Sequence, residues 1–189
     1  MADPSVQWRP EFLRALDLLA RVSEAMHRRG LPRPVLVGGG AVELYTSSMI
    51  VSGDFDLCSP VQQELEEELV RHGFVKPGGA GAATRGWIHP DLALGFEVVA
   101  STPLDGQVEA DRMELILLDG TGGYVRLLGV EDIIAERMAQ YASGTAPEML
   151  GQARALFALF PKLDREYLER RIRYETAGSY GLEKLHSPD

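Results

Sequence analysis

The order of elements along the chain predicts an α+β fold, a mixed β-sheet flanked by helices and followed by a C-terminal helical segment. Three observations carry that prediction. Apolar residues recur at helical spacing near the N-terminus and again after residue 128, while the stretch between them breaks into short runs of strand character. Glycine and proline mark the changes of period. The chain has 189 residues, 45% hydrophobic and 25% charged, which suits one ordinary domain with a real core and fits neither disorder, collagen nor coiled coil. The expected division is an α/β core with an N-terminal helix over 1–128 and a helical segment over 129–189, packed as one compact domain.

From Pro10 to Arg29, Phe12, Leu13, Leu16, Leu19, Ala20, Val22 and Met26 form one helical face, and Gly30, Pro32 and Pro34 end it. Val35 to Val37 reads as a strand, Gly38-Gly39-Gly40 as a turn and Ala41 to Tyr45 as a short helix. Asp54-Phe55-Asp56-Leu57-Cys58 alternates like a strand with one wet face. Ser59 as N-cap and Pro60 at the first helical position open a helix that carries the acidic stretch Glu64 to Glu68 and stops near Gly73. Pro77 to Gly86 is a glycine-rich loop. Leu94 to Ala100, Met113 to Leu118 and Tyr124 to Leu128 read as strands, and Glu131 to Tyr141, Pro147 to Phe160 and Asp164 to Tyr174 as amphipathic helices.

Acidic residues number 28 against 19 basic, leaving 28 − 19 = 9 negative charges. Such a surface disfavours long nucleic acid and anionic membrane, while a compact anion site remains compatible with it. The single Cys58 excludes an intrachain disulfide framework and points to a reducing compartment. Neither a signal peptide nor a membrane-length apolar run is present, so a cytoplasmic location is expected.

Asp54 and Asp56 are the sharpest chemical feature, because residues two apart in a strand project from one face. Paired carboxylates repel and call for a cation, and Mg²⁺ takes one or two of them while water and phosphate oxygens complete its shell. Two solvated aspartates are the plainer alternative for an isolated pair of this kind. The glycine triplet lies between a strand and a short helix, where backbone N–H groups can face an anion; a ligand-free tight turn is its alternative. It completes neither a dinucleotide fingerprint nor a P-loop. Glu97, between Phe96 and Val98, supplies a third acid if its strand lies beside Asp54 and Asp56, and is otherwise an outward residue on a half-exposed strand. Three acids so placed can serve an in-line phosphoryl or nucleotidyl displacement with two metals. Arg85, Trp87 and His89 precede the Glu97 strand and are placed to meet phosphate or base, although Trp87 as core and His89 as a turn residue is the stronger reading. Cys58 packs as a small hydrophobe beside the site. The acidic stretch and Arg165, Arg170, Arg171 and Arg173 read as solvated helix faces, the arginines also being the best candidate contact for RNA or a partner protein.

Val37-Gly38-Gly39-Gly40-Ala41-Val42-Glu43-Leu44-Tyr45 followed by Ser52-Gly53-Asp54-Phe55-Asp56-Leu57 resembles the signature of the nucleotidyltransferase fold of the DNA polymerase β superfamily, nearest the small bacterial enzymes of abortive-infection and toxin–antitoxin type. The resemblance covers about Leu31 to Phe160 and includes the helix from Val130 to Met138. It implies a nucleotidyltransferase-like mixed sheet, Gly38 and Gly39 as the triphosphate turn, and Asp54, Asp56 and Glu97 as catalytic ligands of Mg²⁺ or Mn²⁺. Ser52, Arg85 and Arg137 join the nucleotide-binding set, Arg137 standing where relatives usually carry lysine.

The chain also departs from that pattern. Relatives often carry arginine and threonine just ahead of the aspartate pair, where this chain has Ile50 and Ser52, and Thr145-Ala146-Pro147-Glu148 replaces a charged helix. The leading expectation is a metal-dependent transfer of a nucleoside monophosphate from an NTP, ATP above all, to a hydroxyl on a protein, RNA or small molecule. Its rival is a catalytically retired scaffold acting as a binding module or as the partner half of a toxin–antitoxin-like pair. A third reading, a domain with an unrelated ligand, requires the three acids to lie apart.

Overall fold

A computed structural model describes residues 8–77, 86–92, 94–117 and 120–186. The chain divides into two compact units, Met1–Leu128 and Gly129–Asp189. The first contains α1 (Pro10–Arg28), β1 (Val35–Val37), α2 (Gly38–Tyr45), β2 (Asp54–Cys58), α3 (Gln62–Arg71), β3 (Trp87–Ile88), β4 (Gly95–Ala100), β5 (Glu114–Leu117) and β6 (Tyr124–Leu127). Short 3₁₀ turns at Pro103–Gly106 and Ala110–Arg112 join β4 to β5.

The six strands described form one sheet in the order β3-β4-β2-β1-β6-β5. It is mixed: β2 runs parallel to β4 and β1 parallel to β6, while β1/β2, β3/β4 and β5/β6 are antiparallel. Because side chains alternate along each strand, register divides the sheet into two chemically different faces. Leu36, Phe55, Leu57, Phe96, Val125 and Leu127 are buried on one. There Phe55 stacks on Phe96 at 5.0 Å, Phe12 of α1 meets Phe55 at 5.2 Å, and Phe74 meets Phe96 at 4.6 Å. Each buried phenylalanine contributes about 1.5–3 kcal/mol, enough to make this aromatic row the main lock on the β2/β4 register. Asp54, Asp56 and Glu97 fall on the opposite face.

Local chemistry shifts several boundaries. The three glycines are the first turn of α2 rather than a turn ahead of it, with Val37 as the extended N-cap. α3 begins at Gln62; the Ser59 hydroxyl accepts from the Val61 N–H at 3.3 Å and so closes a turn before the helix instead of capping it. β3 is only two residues long, too short for a periodic signal. Glu68 is not a solvated residue of an acidic face: it is 5% exposed and accepts from Arg29 and Arg71, each at 2.8 Å.

The second unit holds α4 (Val130–Ala142), α5 (Met149–Leu159), α6 (Arg165–Glu175) and α7 (Glu183–His186). The Asp164 carboxylate caps α6 by accepting from the Tyr167 N–H at 3.0 Å. Asp132 of α4 accepts from Arg171 and from the Tyr167 hydroxyl, both at 2.8 Å, tying α4 to α6. Of the four arginines of α6, Arg165, Arg170 and Arg173 are exposed and Arg171 alone is buried. Arg171 is buried between Asp132 and Glu175, Arg173 pairs with Glu169, and Arg165 and Arg170 lie over the Phe157 and Tyr167 rings. No helix among the described residues is long and apolar enough to cross a membrane.

Candidate active site

β2 sits between β1 and β4, and this placement builds the site. Asp56 lies opposite Val37 on one side and opposite Glu97 on the other, while Asp54 lies opposite Gly95. Neighbouring strands are about 4.8 Å apart, so Asp56 and Glu97 stand side by side with Asp54 two residues along on the same face. Asp54 is exposed, and Asp56 and Glu97 are half-buried. Glu97 is thus no enclosed charge; the face it shares is open to solvent.

The end of β1 brings α2 onto the same acids. Gly38 has φ +61°, a left-handed conformation, and a β-carbon there would overlap the Asp56 carboxylate. Glycine is required twice over at this position, by backbone angle and by space. A β-carbon at Gly39 would stand 2.6 Å from the Ser52 hydroxyl. The opening of α2 is consequently packed against Asp56 through Gly38 and against the approach to β2 through Gly39.

Among the described residues, no three His, Cys, Asp or Glu side chains gather closely enough to hold a metal ion between them. The three acids share a face without forming a ready-made three-ligand cage. Their donors are hard carboxylate oxygens, at least one of them exposed, and these fit Mg²⁺ or Mn²⁺ held by one or two carboxylates with water and phosphate oxygens supplying the remainder.

The segment feeding β2 is held by a residue that the sequence reading passed over. Ser47 and Ser48 have φ of 52° and 60°, and left-handed backbone costs roughly 1–2 kcal/mol per non-glycine residue. Glu43, wholly buried on α2, holds them in place. Its Oε1 accepts from Arg9 Nε at 2.6 Å and Ser48 Oγ at 2.8 Å, and its Oε2 from the Ser52 N–H at 2.6 Å and Arg9 Nη2 at 3.0 Å. Burial pushes this carboxyl up, but the hydrogen bonds from Arg9, Ser52 and Ser48 outweigh it and leave its pKa below the ordinary glutamate value. Arg9 Nη2 also reaches the Ser52 carbonyl at 2.5 Å. The loop between α2 and β2 therefore receives a guanidinium from Arg9, at the N-terminal end of α1. A glutamate among Ala41, Val42 and Leu44 was a usable signal; nothing in the sequence pointed to a partner 34 residues away.

Ser52 passes this support onward: its hydroxyl donates to the Asp54 carbonyl at 2.8 Å. Cys58 is buried two residues beyond Asp56 on the same face of β2. Trp87 lies opposite Phe96, on the aromatic face, 8% exposed and under the Lys76 ammonium at 4.8 Å; it is a core residue and not a platform for a base. His89 packs edge-on against Phe74 and accepts from the Asp91 N–H, as a turn residue does. Arg85 lies outside the described residues. Arg137 belongs to the second unit, where it is 4% exposed, donates to Met149 Sδ at 3.2 Å and pairs with Glu136 at 3.1 Å.

No protein-family profile and no curated protein matches the chain. Among solved structures it is similar to the crystal structure of an antigenic nucleotidyltransferase-like protein from Paracoccidioides brasiliensis, with a TM-score of 0.59 and 14% identity over 95% of this chain and 93% of that one. A likeness at that identity speaks to fold, and the chain has a nucleotidyltransferase-like α+β fold.

Proposed function

We propose that the chain is a metal-dependent nucleotidyltransferase that moves a nucleoside monophosphate from an NTP, ATP above all, to a hydroxyl acceptor on a protein, RNA or small molecule. One observation carries the proposal: on a nucleotidyltransferase-like fold, β-sheet register sets Asp54, Asp56 and Glu97 on one open face beside the first turn of α2. Asp54 and Asp56 would hold Mg²⁺ or Mn²⁺, which when bound neutralises phosphate charge and polarises the phosphorus under attack. The amides of Gly38 and Gly39, at the positive end of α2, face the triphosphate. Ser52 keeps Asp54 in place, and Arg85 is assigned to the nucleotide. The acceptor oxygen forms a bond to the α-phosphorus as the bond to pyrophosphate breaks, and the Glu97 carboxylate takes the hydroxyl proton. A reducing, cytoplasmic setting suits a chain whose single, buried cysteine can form no intrachain disulfide.

Incubation with labelled NTPs, Mg²⁺ or Mn²⁺ and candidate acceptors tests this, with Asp54→Ala and Asp56→Ala beside the wild type. Transfer lost in both variants supports the reading. Equal labelling by all three proteins rules it out.

That no three acids among the described residues gather closely enough to cage a metal favours a second reading, a catalytically retired scaffold acting as a binding module or as the partner half of a toxin–antitoxin-like pair. Calorimetric titration with Mg²⁺ and a non-hydrolysable ATP analogue separates the two. Saturable, metal-dependent binding that disappears in Asp54→Ala argues against retirement.

A further inference from the structure

We infer that Arg9 is a positioning residue for the candidate site, clamping the 46–53 loop so that the Asp54 strand and the Gly38–Gly39 turn keep a fixed mutual geometry. The inference rests on the proposed function for its meaning and on hydrogen bonds for its physics. One guanidinium touches two segments that border the site: Nε and Nη2 bind the Glu43 carboxylate of α2, and Nη2 also binds the Ser52 carbonyl ahead of β2. Its own N–H donates to Ser48 Oγ at 3.0 Å, and the neighbouring Trp8 indole donates to the Leu44 carbonyl at 3.0 Å, so the chain entering α1 is fastened along the same loop and helix.

Glu43 has no exposed surface, so without Arg9 its charge would stay buried with only a serine hydroxyl and one amide for partners. Movement of Ser52 then reaches both halves of the site, Asp54 through the hydroxyl-to-carbonyl bond and α2 through the contact with Gly39. The planar guanidinium reaches both Glu43 oxygens and the Ser52 carbonyl from two nitrogens, whereas a lysine ammonium keeps the charge as a single point donor.

The test uses the full chain as wild type, Arg9→Ala and Arg9→Lys, with Asp54→Ala as the reference for a lost site. Hydrogen–deuterium exchange over residues 46–56 reads the clamp directly, and Mn²⁺·ATP-analogue binding followed by electron paramagnetic resonance reads the site. Arg9→Ala is expected to speed exchange across 46–54 and weaken Mn²⁺·nucleotide binding about tenfold each, with the α4–α6 amides unchanged; Arg9→Lys, the safeguard if alanine fails to fold, is expected to lose about threefold. Unchanged exchange in both variants overturns the clamp. Faster exchange with wild-type Mn²⁺·nucleotide affinity overturns its link to the site. Wild type and Asp54→Ala binding alike would instead sink the nucleotidyltransferase reading, and the exchange measurement alone would then decide whether Arg9 holds the loop.

Discussion

A β-carbon on Gly38 would land on the carboxylate of Asp56. The contact joins the first residue of α2 to an acid of β2 and makes the glycine part of the acidic face's geometry. Gly38→Ala should therefore destabilise the protein by about 2–5 kcal/mol, combining roughly 1–2 kcal/mol for left-handed backbone with about 1–3 kcal/mol of overpacking. Gly40→Ala meets the flexible end of Leu36 at 3.0 Å and should cost less. Urea denaturation compares the two. Midpoints that fall equally would mean that the Gly38–Asp56 approach sets no special limit.

Glu43 gives stability a defined acid dependence. Its folded pKa lies below the ordinary value of 4.5, so the carboxylate binds fewer protons folded than unfolded in that range. The resulting stabilisation is fully present above the unfolded value and disappears as pH falls through the depressed folded value. Glu68 adds in the same direction: burial raises its pKa, and Arg71 and Arg29 more than reverse that. Unfolding free energy measured from pH 6 downward should drop most steeply below about 4.5 in the wild type, and less steeply in Glu43→Gln, which starts lower by about 1.5–3 kcal/mol because Arg9, a quarter exposed, loses its charged partner. Parallel pH profiles for the two proteins would contradict this assignment.

How much of this was legible beforehand follows from the range of the forces involved. Alternation over Asp54 to Cys58 and the helical period after Pro10 are local, and both elements appear where the pattern puts them. The shared face of Asp54 and Asp56 follows from strand geometry alone. Whether Glu97 joins them depends on which strands pair, and that is decided by contacts such as Phe55 on Phe96, distant in sequence and invisible to a periodicity argument. Charged runs misled for the same reason. Glu68 and Arg171 look like surface residues until Arg29 and Asp132, 39 positions away in each case, come into contact with them. Arg9 is the extreme instance, an ordinary residue ahead of a helix whose role exists only in three dimensions.

The two faces of the sheet also separate stability from ligand response at Trp87. Its indole lies opposite Phe96, and the acids lie on the other side of the same strands. Trp87→Ala should remove a buried aromatic and cost about 3–5 kcal/mol, with Trp87→Phe near 1 kcal/mol. Neither should alter nucleotide affinity in the folded protein. Fluorescence offers a direct check, since the chain has two tryptophans and Trp8→Phe leaves Trp87 as the only one. Addition of Mg²⁺ and nucleotide should leave that emission unchanged, whereas Trp8, bonded to the Leu44 carbonyl of α2, should respond in Trp87→Phe. A nucleotide-dependent quench in the protein retaining only Trp87 would mean that the ligand reaches the aromatic face, and the site would have to be sought there instead.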